Sequence, residues 1–337
     1  MRIQSNLKQV DTNNPPRLIA SLLAGFDVIA RHITLVILPF VLDLFLWCGP
    51  QLKINRLIHT LSDTFLQLPG AGSTETTQFI EAGREMWQWV GTRFNLFIFL
   101  RSYPVGVPSL MSSRLPINTP DGINSISWEI TAPLMILASW FLLSLFGLGL
   151  GTFYFDSISR AATARSEKPS FHLSNCLRQL VQVFWLTLIF EILALLVSLP
   201  AICLISLLAL GSPALGQLAM LLYGGGVIWL LFPLIFSPHG IFINQQNVIQ
   251  SLRRGVVITR MTLPTTGLLF LVALLLSQGL DLLWSSPAET SWFSLVGIAG
   301  HAFVTTGLLA TSFVYYEKAD KWSQRVITQH LTQTAIQ

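Results

Sequence analysis

Long apolar stretches alternate with short amphipathic ones along this chain, and the alternation predicts a helical membrane bundle. Six apolar runs stand out, at residues 33–48, 130–155, 182–207, 218–243, 263–284 and 292–315. A helix needs about 20 mostly apolar residues to cross a bilayer. Between Glu191 and Arg253 there is no Asp, Glu, Lys or Arg. A soluble core would need a charged outer shell, which that stretch cannot supply. The fold class is all-α, a polytopic bundle of about six transmembrane helices.

Amphipathic helices precede some of the spans. Leu18, Ile19, Leu22, Leu23, Phe26 and Ile29 recur at helical spacing, with Arg17, Ser21, Asp27 and Arg31 elsewhere on the wheel. Such a helix lies on the membrane surface. Residues 244–262 repeat the pattern, with Val248, Ile249, Leu252 and Val256 apolar and Arg253, Arg254 and Arg260 charged. The segments LIASLLAGFDVIARH, LSNCLRQLVQVFW and VIQSLRRGVVITR look alike, and two return spans end alike in GTFYFDS and TSFVYYEK. The pattern predicts three repeats of surface helix, outgoing span and return span.

Local sequence shapes the spans. Pro39 interrupts the first, and Gly224-Gly225-Gly226, Pro233 and Pro238 predict a broken fourth. Gly147 and Gly151, in GLGLG, have the small-xxx-small spacing of close helix packing. Residues 51–129 form one long insertion between the first two spans. Two amphipathic helices are predicted there, the first on Ile54, Leu57, Ile58, Leu61, Phe65 and Leu68. The second covers residues 77–100, after a Gly/Ser hinge at 70–73. Residues 94–116, with Arg101, Pro104, Pro108 and Arg114, read as an interfacial cap. The layout is a flexible start at 1–16, surface helix and first span at 17–50, an extracytoplasmic helical insertion at 51–129, the remaining five spans at 130–316, and a polar helical tail at 317–337.

Charge orients the bundle. Only 11% of residues are charged and 52% are hydrophobic, against about a quarter charged in soluble domains. Every Lys and Arg outside 51–129 falls on the side of the termini, and the two short loops opposite carry none. The termini are therefore expected in the cytoplasm. Cys48, Cys176 and Cys203 show no metal spacing, and an odd count beside apolar spans argues against a disulfide framework. No cleavable signal layout precedes the first span, so the N-terminus is expected to be retained.

Candidate chemistry is confined to a few residues. Asp43, Glu191, Asp281 and His301 are the ionisable groups inside spans, a candidate intramembrane polar site. Asp43 and Asp281 each stand one turn before a Trp, where they could reach interfacial water. Glu191 and His301 both fall near the midplane by rise per residue. As a pair they would make either a proton- or cation-coupled site or a hydrogen bond pinning two helices. Gly297 stands four before His301, a spacing that would admit a planar macrocycle with the imidazole as axial ligand, but there is no second His to pair with it. No Walker loop, Gly-x-Ser-x-Gly elbow, HExxH or Cys-x-x-Cys occurs, so no catalytic, metal or cofactor set is assigned. The basic helices are too sparse for nucleic acid and suit anionic lipid headgroups.

On FPLIFSPHGIFINQQNVIQSLRRG and VYYEKADKW the chain resembles a group of bacterial six-span proteins. That group includes the membrane domains fused to glycerophosphodiester phosphodiesterases. The resemblance covers most of the chain outside 51–129 and implies a helical module of the bacterial inner membrane. No phosphodiesterase domain is attached. Two functional readings follow. One is a non-enzymatic scaffold or accessory subunit, holding lipid or protein partners through 51–129 or the cytoplasmic surface helices. The other is a small proton- or cation-coupled transporter or channel using Asp43, Glu191, Asp281 and His301. A membrane-embedded lipid enzyme is a third class, with no catalytic set to name.

Overall fold

A computed structural model describes residues 15–58, 60, 85, 91, 94–113, 119–163 and 173–334. Its helices are α1 (Leu18–Arg31), α2 (Ile37–Cys48), α3 (Pro133–Ala162), α4 (Leu173–Gly211), α5 (Pro213–Leu231), α6 (Ser237–Ile243), α7 (Val248–Met261), α8 (Leu263–Trp284) and α9 (Ser294–Thr334). Five segments are long and apolar enough to cross a membrane: Pro133–Ala162, Asn175–Gly211, Pro213–Ile243, Leu263–Trp284 and Ser294–Gln333. A sixth candidate joins α1 to Ile33–Cys48 through a bend of 92°. The protein is a helical, multi-pass membrane protein. All but residues 15 and 16 of the flexible start expected at 1–16, the hinge at 70–73 and most of the two helices expected before residue 94 lie outside the described residues.

The chain divides into two compact units. The first holds residues 1–32, 155–273 and 307–337. Here α1 buries Ser21, Gly25 and Ile29, and α7 buries Ser251, Gly255 and Thr259 on the same helical spacing. Gly25 is required where it stands, because a Cβ there would lie 2.5 Å from the Thr311 backbone. Asn247 caps α7 by accepting from Gln250 N at 2.9 Å. Gly211 and Ser212 close the α4–α5 hairpin ahead of Pro213, and Ser198 meets the Tyr223 hydroxyl at 2.6 Å. The outer part of this hairpin is apolar and exposed, with Leu196 at 70%, Leu210 at 86% and Trp229 at 79%, a lipid-facing surface. α5 ends at Leu231, and the chain turns through a 3₁₀ segment, Phe232–Leu234, because Pro233 cannot donate to the helix ladder. It resumes as α6 under a cluster of Phe236, His239, Phe313, Tyr315 and Tyr316 rings.

The second unit holds residues 33–154 and 274–306. Its insertion departs from an all-α layout. Strands β1 (Gln51–Lys53) and β2 (Ser127–Glu129) pair in parallel, Gln51 opposite Ser127. Residues 96–100 form a 3₁₀ helix rather than the end of an α-helix, capped by Asn95, whose Oδ1 also receives Leu52 N at 3.0 Å.

Gly147 and Gly151 do admit a close neighbour, but it is not a helix of the bundle. A Cβ at Gly147 would stand 2.5 Å from the Leu100 carbonyl, and one at Gly151 would stand 2.7 Å from the Val105 carbonyl. The spacing on α3 therefore receives the insertion's own backbone. A hydrogen bond between Tyr154 and Thr306 (2.8 Å) ties α3 to α9 beside this contact. Val105 and Val107 are fully buried, so the segment expected from composition to be an interfacial cap packs its backbone closely against α3.

Candidate functional site

Asp43 sits on α2 with no exposed surface. Its carboxylate accepts from the Ser109 hydroxyl, from Leu110 N at 3.0 Å and from Met111 N at 3.0 Å. These donors open the short 3₁₀ turn Met111–Ser113. Arg101 closes the same turn, donating to Ser112 Oγ at 2.7 Å and to the Ser109 carbonyl at 3.3 Å. A buried carboxylate is stable only when hydrogen-bonded in this way. Asp43 does not reach interfacial water. It fastens the turn at 109–113 to α2. Trp47, one turn on, is likewise buried, and its Nε1 donates to the Glu289 carbonyl at 3.0 Å.

Asp281 and His301 meet. Oδ1 of Asp281 lies 2.7 Å from Nδ1 of His301, with the side chains 25% and 7% exposed. The other ring nitrogen, Nε2, is buried and without a hydrogen-bond partner among the described residues. The carboxylate beside His301 is thus Asp281, where the sequence had suggested Glu191. The place of a macrocycle is filled as well: a Cβ at Gly300 would touch the Trp284 indole at 2.7 Å, and one at Gly297 the Trp284 carbonyl at 2.6 Å.

Glu191 lies in the first unit. It is exposed on α4, beside Ile192, Leu195 and Leu196, which are 55%, 57% and 70% exposed. It makes no hydrogen bond or ion pair among the described residues. By helical rise it stands about 13 Å beyond Gln182 and 30 Å short of Gly211, on the apolar part of the helix. The four residues expected to share one site therefore fall into three arrangements: a spent carboxylate, an Asp–His pair and an unpartnered acid.

Sequence reading missed a duplicated polar device in the first unit. Asp156 Oδ1 accepts from Gln179 at 3.0 Å, its Oδ2 pairs with Arg160 at 2.7 Å, and Ser159 Oγ bonds back to the Asp156 carbonyl at 2.9 Å. Asp320 Oδ1 pairs with Arg254 at 2.6 Å, its Oδ2 accepts from Gln324 at 3.1 Å, and Ser323 Oγ bonds back to the Asp320 carbonyl at 2.9 Å. The signal was present as Asp-x-x-Ser-[Arg/Gln] at residues 156–160 and 320–324. The partners Gln179 and Arg254 occupy the same place in LSNCLRQ and VIQSLRR. Among the described residues no three His, Cys, Asp or Glu side chains converge as a metal site would require. No family model, curated protein or solved structure matches the chain.

Proposed function

We propose that this protein is a non-enzymatic scaffold or accessory subunit that joins a protein partner within the bilayer through Glu191. The carrying observation is the exposure of Glu191 on an apolar, lipid-facing hairpin. An intramembrane charge costs about 3 kcal/mol or more when left to lipid, so a donor from a second polypeptide is its natural complement. The insertion fits the same reading. Asp43 and Arg101 are committed to holding the turn at 109–113 in a fixed shape, and Tyr103, Ile126 and Trp128 stand exposed on the insertion at 67%, 64% and 52%.

The topology belongs to the proposal. Six spans, with residues 33–48 as the first and α1 as the surface helix before it, run in the bacterial inner membrane and leave both termini cytoplasmic, as the basic residues favour. The paired Asp-x-x-Ser devices and the matched buried faces of α1 and α7 support three repeats of surface helix and helical hairpin. Photocrosslinkers at Ile192 and Leu195 in native membranes test the assembly. A discrete second polypeptide is the predicted product. Lipid adducts alone at both positions would contradict the reading.

One observation favours the alternative of a proton- or cation-coupled transporter, the buried and unpartnered Nε2 of His301 beside Asp281. Proteoliposomes decide this. Cation or proton flux abolished by both His301→Gln and Asp281→Asn, with the fold intact, would replace the scaffold reading.

A further inference from the structure

The ribbon of β1 and β2 in the second unit has one closed edge and one open edge, and it owes nothing to Glu191 of the first unit. Gln51 N donates to the Ile126 carbonyl at 2.9 Å and Ile130 N to the Lys53 carbonyl at 2.9 Å, with Leu52 opposite Trp128. In a parallel ladder that register turns the main chain of Trp128 toward β1 and the main chains of Ser127 and Glu129 away from it. The far edge of β1 is taken, because Leu52 N donates to Asn95 Oδ1 at 3.0 Å. The far edge of β2 is open: the backbone groups of Ser127 and Glu129 have no partner among the described residues. Residues 126–129 are all exposed, so both faces of this strand stand clear as well.

An open edge is a template for another strand, and proteins usually blunt it with Lys or Pro. Residues 124–132 hold neither. A two-stranded ribbon is also marginal by itself, whereas three or more strands make a stable sheet. The side chains choose which strand is added. Read outward from Trp128, the run Ser125-Ile126-Ser127-Trp128-Glu129-Ile130-Thr131 has the same polar and apolar character in both directions. An antiparallel copy centred there sets Ile126 against Ile130, Trp128 against Trp128 and Ser127 against Glu129. One face of the joint is then apolar throughout, and on the other a hydroxyl donor meets a carboxylate with no like charges opposed. The backbone agrees with this register. Ser127 and Glu129 face outward, as a hydrogen-bonded pair must, and Trp128 falls opposite itself as the closer, non-hydrogen-bonded pair. Centring on Ser127 would set Asn124 against Ile130, and centring on Glu129 would oppose two carboxylates.

We infer that the protein pairs with a second copy of itself along β2, antiparallel and in register about Trp128, to make one sheet in the order β1, β2, β2, β1. Ile126 and Trp128, 64% and 52% exposed, gain apolar neighbours from the second copy. The interface is isologous. It closes at two copies, because Asn95 already occupies the outer edge of each β1.

Single-molecule counting in lipid vesicles at falling protein density gives the dimerisation constant of the full-length protein. The wild type should be dimeric at high density. Ser127→Pro should weaken dimerisation at least about tenfold and keep the wild-type unfolding temperature, because the amide it removes faces away from β1. If Ser127→Pro does not fold, Ser127→Glu carries the test, with a loss of at least about threefold from a second carboxylate set opposite Glu129. Mild oxidation of single-cysteine proteins, with Cys48, Cys176 and Cys203 replaced by Ala, reads the register. Trp128→Cys should give a disulfide-linked dimer, because facing Cα atoms at about 4.5 Å lie within bridging range. Ser127→Cys should not, because its two copies stand two residues out of register. A monomeric wild type would overturn the inference and leave Ile126 and Trp128 as anchors at the lipid interface. Dimerisation untouched by the folded Ser127 variants would overturn it too, as would equal crosslinking at 127 and 128.

Discussion

Arg254 and Asp320 form a partly buried ion pair across 66 positions of sequence, with Nε of the arginine 2.6 Å from Oδ1 of the aspartate. The guanidinium also reaches the Asp320 carbonyl at 3.1 Å and Ser323 Oγ at 2.9 Å, and Asn244 donates to the second carboxylate oxygen at 3.3 Å. One arginine therefore locks α7 to the distal half of α9, and the two segments SLRRG and VYYEKADKW meet in a single network.

Removing that arginine strands a mostly buried carboxylate, 8% exposed. Arg254→Ala should cost about 3 kcal/mol, in the range for a broken buried pair. Arg254→Gln should cost clearly less, because Gln179 already serves Asp156 in the matching position. Denaturant unfolding in mild detergent measures both. Equal stability of Arg254→Ala and wild type would show that the pair holds nothing.

Asp43 makes a local prediction. Asp43→Ala leaves the Ser109 hydroxyl and the amides of Leu110 and Met111 without their acceptor, at about 1–3 kcal/mol for each buried donor. Hydrogen exchange at residues 109–112 should accelerate strongly, while exchange in α7 stays as in wild type. Unchanged protection of Leu110 and Met111 would mean that Asp43 does not hold the turn.

Two neighbouring glycines of α3 should behave oppositely. A Cβ at Gly151 meets the Val105 carbonyl at 2.7 Å and Gly106 Cα at 2.8 Å, whereas nothing lies within 4 Å of one at Gly149. Gly151→Ala should destabilise the protein, and Gly149→Ala should be neutral or gain up to about 1 kcal/mol of helix propensity. Thermal unfolding of the two variants gives the answer. A stable Gly151→Ala would place the backbone of Val105 and Gly106 elsewhere.

Much of the membrane architecture was legible because it rests on local pattern. The helices α1 and α7, the break at Pro233 and the Gly211–Pro213 turn each follow from residues within a few positions of one another. The site was legible only as residue types. Asp43 was recognisable as costly, but its partners at Ser109–Met111 lie 66 to 68 positions away in a polar segment with no spanning pattern. His301 was recognisable as buried, yet rise per residue gives depth and not azimuth, so it could not tell Glu191 from Asp281. The Asp156 and Asp320 devices were hidden for a similar reason: the matched partners are a glutamine and an arginine, 23 and 66 positions away.

The most direct test of the account is the native mass of the complex extracted gently from its own membrane, for the wild type and for Glu191→Gln. The account predicts a stoichiometric protein partner on the wild type and its loss, or much weaker retention, on the folded variant. A wild-type protein that leaves the membrane alone, or a partner retained equally by Glu191→Gln, would contradict it.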